Sequence, residues 1–542
     1  MPKHSYNFGN CASARFVREA INLGRPKSEV LTILYKIYLD RKKAFLMPKD
    51  ILLYMSDQHS YRLQGYAGDP VIRTPNLDRL AQNGVAMTNA MTACPLCVPA
   101  RAAMISGQLP SNNGVLFNFG SLPSDQATFL HCLNAAGYDT ILCGRMHFVG
   151  PDQRHDYSRR IAGDRTPVFH NGVPAPRRAD GTPSRVTGYD ENGAVRYIGG
   201  GDSPVLAYDR YVVQHALEYL AQDHERPQFI TVGTYGPHFP YVAPPELYEY
   251  YYDKVNLSDV SDTFDGGPAL EGKMQEADPE IARAARAAYY GLVEMQDRHI
   301  GAVYDAFQAY LKRTGREGVF IYVSDHGDMN GTHGYYGKQV FYDPAVHVPF
   351  VVQGAGIAQG KTIDSPVSLL DVGPTICELA GVEPLPGDGK SLAPQLAEGK
   401  NEPERMVVSE LYTYLTNGKT SLGRMVRWKD WKYYVYSGIE EDPHLYQCST
   451  DPNEENNVAN QYPEVAERLK AFADSFQSYE EIMVHERWAM RQLKILQKCN
   501  YDDPNERWQC PELPELEHPV CSRKNFGPTP WVIQMRKHLE EM

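Results

Sequence analysis

The sequence predicts an α/β protein: a large mixed, mainly parallel sheet between helices, followed by a smaller C-terminal α+β domain. Three observations predict it. Short runs that are apolar at every position, such as Ile51-Leu52-Leu53-Tyr54-Met55, suit parallel strands covered on both faces. These runs are followed by helical segments, which is the pattern of α/β units. From about residue 403 the text changes to Val-, Tyr- and Trp-rich segments separated by turn residues, as in antiparallel strands.

Taken in order, residues 1–46 read as a helical N-terminal extension, with Val17, Ile21, Val30, Ile33, Leu34, Ile37 and Leu39 at roughly helical spacing. The large domain is expected over residues 47–400. Its first strand, Ile51–Met55, runs into Ser56-Asp57-Gln58-His59. Thr74 and Pro75 then start a helix as N-cap and first residue, and Gly84 stops it. In Cys94-Pro-Leu-Cys97-Val-Pro99-Ala-Arg101, Pro99 suits a first helical turn, Ala102 to Ile105 continue it, and Gly107 followed by Pro110 ends it. Cys97 would therefore sit at the positive end of a short helix, a place that suits an anion.

The strand-to-loop pattern recurs three times. Thr140–Cys143 leads into Gly144-Arg145-Met146-His147; Phe229–Val232 into Gly236-Pro237-His238; and Val319–Val323 into Ser324-Asp325-His326-Gly327-Asp328. Ligands of open α/β sheets bind beyond the carboxyl ends of the strands. The four ends would bring Asp57, Gln58, Arg145, His147, His238, Asp325 and His326 to one crevice. His333, Gly334 and Lys338 follow, then a strand at Val348–Val352 and a helix over Ser368–Leu379 with Pro374 near its first turn. The Pro/Gly-rich stretch Glu383–Gly389 reads as the loop where the large domain winds down.

The small domain, residues 401–476, has strands at Arg405–Leu411, Leu422–Trp428 and Trp431–Tyr436 and a helix from Pro463 to Phe476. Residues 477–542 read as a tail containing Cys499, Cys510 and Cys521, a set without the fourth ligand that zinc would need.

At 542 residues the chain is too long for a single ordinary core. No apolar run approaches the ~20 residues that span a bilayer, and the first residues lack a signal-peptide core. The ten cysteines are scattered rather than clustered as a disulfide framework, which predicts a reducing cytoplasm. A formal charge of −13 argues against nucleic acid or an anionic membrane as partner. An anionic substrate must then be drawn by a local positive site.

Cys97, Pro99 and Arg101 spell Cys-x-Pro-x-Arg. Together with the four polar strand ends and the passage Leu445-Tyr446 to Asp451-Pro452-Asn453-Glu454-Glu455-Asn456-Asn457, they make the chain resemble the type I, formylglycine-dependent sulfatases of the alkaline phosphatase superfamily, over about residues 47–476. Ser106–Ser111, Gly144–Gln153 and Asp57-Gln58 are similar to the branch of choline sulfatases and phosphonate monoester hydrolases.

The resemblance implies a sulfatase-like catalytic domain in which Cys97 is oxidised by a separate maturation enzyme to formylglycine, whose hydrate attacks a sulfate ester. It implies Asp57, Gln58, Asp325 and His326, with the modified Cys97, as ligands of one divalent cation, Ca2+ first, with Mg2+ or Mn2+ as alternatives. Arg101 would hold the hydrate, His147 would take its proton, His238 and Lys338 would contact sulfate and protonate the leaving oxygen, and Arg145 would clamp the sulfate oxygens. Family members often have Asp at the Gln58 position, Asn at that of His326 and Lys at that of Arg145. A neutral Gln lowers the ligand charge, and an arginine is a planar fork rather than a point charge.

The chemistry needs these residue types. A sulfate ester repels a nucleophile through its spread negative charge, so metal and cationic groups must offset that charge. A gem-diol allows a step that serine lacks, because loss of its second proton expels sulfate and restores the aldehyde. The expected partners are a small alkyl, aryl or sugar sulfate and the maturation enzyme, with a homo-oligomer left open. Two alternatives stand beside this reading: a phosphonate monoester or phosphodiester hydrolase of the same fold, and a non-catalytic metal or redox protein using Cys94 and Cys97.

Overall fold

The computed structural model describes residues 48–164, 197–260, 278–415 and 419–496, together with 498. The expected extension over residues 1–46 and the tail cysteines Cys499, Cys510 and Cys521 lie outside the described residues.

An eight-stranded sheet organises the chain. Its strands are β1 (Asp50–Asp57), β2 (Val85–Met87), β3 (Asp139–Gly144), β4 (Arg159–Ala162), β5 (Gln228–Pro237), β6 (Gly318–Ser324), β7 (Phe350–Gly354) and β8 (Lys361–Ile363). They lie in the order β8-β2-β7-β6-β1-β5-β3-β4. The block from β6 to β4 is parallel, with Ile51 opposite Phe229 on one side of β1 and Val319 on the other. The strand expected at Val348–Val352 is β7, and it runs antiparallel to β6, which makes the sheet mixed.

Both faces are covered, which is why β1 is apolar without alternation. Ile51, Leu53 and Met55 pack towards α2 (Cys97–Ser106) and α5 (Val372–Leu379). Leu52 and Tyr54 pack towards α1 (Pro75–Asn83), α3 (Pro204–Leu220) and α4 (Pro279–Thr314). Burying each large apolar side chain contributes roughly 1.5–3 kcal/mol. α1 starts at Pro75 as its sequence demands, but Thr74 makes no cap to the helix backbone. Its hydroxyl donates to the Asp78 carboxylate, and the helix N-terminus is capped instead by Asp297, which accepts from the amides of Asn76 and Leu77.

The smaller unit is an antiparallel sheet of β9 (Met406–Tyr414), β10 (Thr420–Trp428), β11 (Trp431–Ser437) and β12 (His444–Gln447), with α6 (Pro463–Ala473) against it. It grips the segment just before Cys97. Met91, Cys94 and Leu96 share a core with Leu411, Met425, Tyr434 and Tyr436. Buried Lys432 reaches across to the Phe341 carbonyl, to Asp343 at 2.7 Å and to Glu454. The region expected as a tail from residue 477 opens with another helix, α7 (Tyr479–Leu496), which buries Ile482, Met483, Met490 and Leu493.

The loop at Glu383–Gly389 does more than end the large domain. Asp388 accepts from the amide of Leu109 and from Asn112, and its own amide donates to the Gly107 carbonyl at 2.7 Å. The loop thereby clamps the carboxyl end of α2, where Gly107 takes the left-handed φ of 68°.

Candidate active site

The four polar strand ends belong to adjacent parallel strands, β6, β1, β5 and β3, so their loops open on the same side of the sheet. β1 delivers Asp57 and Gln58, β3 Arg145 and His147, β5 His238, and β6 Asp325 and His326. Cys97 is the first residue of α2, whose second amide, that of Val98, is taken by Asn118 at 3.0 Å. Lys338 comes from the loop after β6. All ten expected residues are buried, and the most exposed, Lys338, shows 9% of its surface.

Backbone geometry makes the convergence feasible. The chain leaving β3 crosses β5 so closely that a Cβ on Gly233 would lie 1.9 Å from the Arg145 carbonyl, so only glycine fits. Gln58 and His147 hold left-handed φ values of 72° and 53°, a conformation that costs free energy in residues with side chains.

Arginines bind the acidic core together. Arg101 donates from Nε to Asp325 at 2.9 Å, from Nη2 to Asp57 at 3.0 Å and from Nη1 to the Arg145 carbonyl. Arg145 donates from Nε to the same Asp57 oxygen at 2.7 Å and contacts His147 Nδ1 at 2.8 Å. Burial alone would raise the Asp57 carboxyl, but the Arg145 and Arg101 guanidinium groups hold it well below the usual carboxylate range. Burial, reinforced by Arg145, keeps His147 neutral far below the usual imidazole range. Burial, then Lys338, does the same to His238.

Cys97 Sγ lies 3.1 Å from His326 Nε2 and 3.8 Å from Asp57 Oδ1. Burial and then the Asp57 charge push its thiol up to about 11, so it holds its proton at neutral pH. Lys338 Nζ donates to Gln58 Oε1 and lies 2.8 Å from His238 Nε2. His238 Nδ1 in turn meets the Phe239 carbonyl at 2.6 Å.

The family model described as Sulfatase matches residues 49–382. The chain belongs to the sulfatase family. It is a sulfuric ester hydrolase. A second model, N-sulphoglucosamine sulphohydrolase, C-terminal, matches residues 331–478 of this sulfatase. Choline-sulfatase of Rhizobium meliloti is 32% identical over 435 residues, which cover 76% of this chain and 82% of the relative. Arylsulfatase K of Bos taurus is 28% identical over 472 residues, covering 80% and 82%. The phosphonate monoester hydrolase of Agrobacterium radiobacter superposes with a TM-score of 0.62 over 81% of this chain and 96% of that one, at 21% identity, a likeness of fold.

The sulfatase offers a donor set suited to a metal ion. Asp57, Cys97, Asp325 and His326 each present one ligand atom, and all four atoms lie within 4.8 Å of one another. Two carboxylates and an imidazole fit a divalent cation. Among the described residues, no helix is long and apolar enough to cross a membrane.

Three residues of the site were not singled out from the sequence. Asp164 accepts from the His147 amide at 2.9 Å and lies 3.6 Å from Arg145. Tyr235 lays its ring under the Arg145 guanidinium at 4.2 Å. Asp328 takes the Gln58 side-chain amide at 2.6 Å. Only Asp328 carried a signal, its place in the Asp325-His326-Gly327-Asp328 run.

Proposed function

We propose that the sulfatase hydrolyses a small sulfate monoester with formylglycine made from Cys97 and one divalent cation, Ca2+ before Mg2+ or Mn2+. The observation that carries this reading is the Lys338 and His238 pair standing at the Gln58 edge of the Asp57, Cys97, Asp325 and His326 cluster. The oxidised Cys97 would supply a geminal diol as nucleophile, and a cation held by Asp57, Cys97, Asp325 and His326 would supply Lewis acidity.

The chain's own residues do the rest. Arg101 keeps Asp57 and Asp325 turned into the cluster by holding one oxygen of each. His147, neutral and fixed through Arg145 and Asp164, has its Nδ1 lone pair filled by the Arg145 guanidinium, so it accepts the proton of the attacking hydroxyl there only when Arg145 turns to the sulfate. Lys338, shared between Gln58 and His238, donates to the leaving oxygen, and His238 keeps the ammonium aimed. Arg145 and Lys338 offset the sulfate charge in a site where burial strengthens each interaction.

Depth sets the substrate class. With every one of these groups at least nine-tenths buried, the site suits a compact ester head. Choline sulfate, suggested by the relative's name, belongs beside aryl and sugar sulfates in the assay panel. The partner this chemistry requires is the maturation enzyme. The cysteines among the described residues are free thiols, which fits a cytoplasmic location.

A second reading keeps the fold and hydrolyses phosphonate monoesters. The Agrobacterium radiobacter structure and Gln58 favour it. Comparing kcat/KM on an aryl sulfate and the matching aryl phosphonate separates the two. A preference for sulfate by tenfold or more is expected, and the reverse preference replaces the first reading with the second.

A further inference from the structure

Gln58 stands where a carboxylate would bind a cation without regard to which oxygen faces it. An amide is different, because one end accepts and the other donates. Turned one way, Gln58 offers a carbonyl oxygen to the cluster; turned the other, it offers an NH2 that repels a cation. Something has to choose.

The buried Asp328 makes that choice possible. Its carboxylate accepts from Gln58 Nε2 at 2.6 Å, from the amides of Asn330 at 2.8 Å and Gly337 at 2.9 Å, and from the Tyr241 hydroxyl. These donors occupy the lone pairs of both oxygens, so the group is an acceptor towards Gln58. The amide nitrogen must face Asp328, and the carbonyl Oε1 must face the other way, where Lys338 donates to it. The rest of Gln58 is pinned as well. Its amide donates to Asp325 Oδ1 at 3.0 Å, its carbonyl accepts from the Tyr289 hydroxyl, and its φ is held at 72°.

We infer that Asp328 is a positioning residue that fixes the polarity of the Gln58 amide, so that the carbonyl oxygen faces the cation cluster. Lys338 is a less secure guide. Its ammonium also reaches His238 and is the group that the proposed reaction uses. The inference rests on the reading of Gln58 as part of that cluster.

The test is a double-mutant cycle on the full chain, stripped with chelator and titrated calorimetrically with Ca2+ alone, with the state of Cys97 kept constant and checked by mass. Asp328→Asn in the native Gln58 background lets the amide turn over, and Ca2+ affinity should fall at least tenfold. In a Gln58→Glu background the same substitution should cost less than threefold, because the introduced asparagine side chain can donate to a carboxylate that has no wrong end. A merely structural defect would lower affinity equally in both backgrounds. Equal losses therefore overturn the inference.

Lys338→Met gives an arm that leaves Asp328 in place and should not weaken Ca2+ binding. A tenfold loss there would assign the orientation to Lys338 and also overturn the inference. A native chain that takes up none of Ca2+, Mg2+ and Mn2+ overturns the cation reading, and this inference with it. Binding by the native chain without coupling in the cycle overturns this inference alone. The Ca2+-dependent rise in Tm provides a second readout and, with chelator present, shows that each variant is folded.

Discussion

Lys338 Nζ stands 2.8 Å from Nε2 of His238, whose Nδ1 is engaged by the Phe239 carbonyl. With both nitrogens so placed, and with burial and the neighbouring Lys338 holding His238 far below its usual range, the imidazole accepts at Nε2 from Lys338.

A proton donor matters most to a poor leaving group. Lys338→Met should lower kcat/KM on an alkyl sulfate by about 10²–10⁴, and by far less on an aryl sulfate whose phenol is acidic. Equal losses on the two substrates would assign Lys338 to sulfate binding instead of proton transfer.

The Cys97 thiol, pushed up to about 11, is not a nucleophile as it stands. Protein from its own host should give a Cys97 peptide lighter by ~18 Da, the difference between a thiol and an aldehyde. Cys97→Ala should cost at least about three orders of magnitude in kcat/KM. Full activity with an intact thiol would remove formylglycine from the mechanism.

Arg101 is the shared counter-ion of Asp57 and Asp325. Arg101→Met would leave two buried carboxylates without it, and urea unfolding in chelator should show a loss of about 3–5 kcal/mol. Arg101→Lys should recover little of it, because a single ammonium cannot reproduce a fork that also reaches the Arg145 carbonyl.

Among the described residues Asp209 has no ion-pair partner; it is buried and accepts from the Tyr235 and Gly236 amides and from Gln296. Burial pushes its carboxyl up from the ordinary 3.8 to about 7. Its contribution to stability is complete below the unfolded value and is lost as pH rises through the folded one, by about 1.4 kcal/mol for each unit between them. Unfolding by urea between pH 4 and 7 should show this decline, and Asp209→Asn should flatten it. An unchanged slope would remove Asp209 from the account.

The part of the site that the sequence made visible is the part carried by sheet order. Strands covered on both faces are apolar throughout, so β1, β3, β5 and β6 could be found and their polar ends aligned. Lys338 sits in a loop and was visible only through resemblance. Asp164 follows β4, whose Arg-Arg-Ile-Ala text has no strand pattern. α4 is not legible in the sequence although it is 36 residues long, because its buried side mixes Ala, Gly and polar residues such as Arg286, Glu294, Gln296 and Asp297 with its larger apolar ones, so its period is faint. The work of Asp328 depends on Tyr241 and on the Gly337 amide, which folding alone brings to it.

Cys97 has no exposed surface and is walled in by the sheet on one side and by the C-terminal unit's grip on Cys94 and Leu96 on the other. On the proposed reading, a modifying enzyme would reach this side chain on a chain in which α2 has not yet docked. On that reading activation and folding would be competing clocks: the residue would be altered while the polypeptide is still open, and a molecule that folds first would stay inactive until it unfolds. Slower assembly would then yield more active enzyme per chain made, and a substitution that speeds docking of α2 would lower specific activity without touching any residue of the reaction.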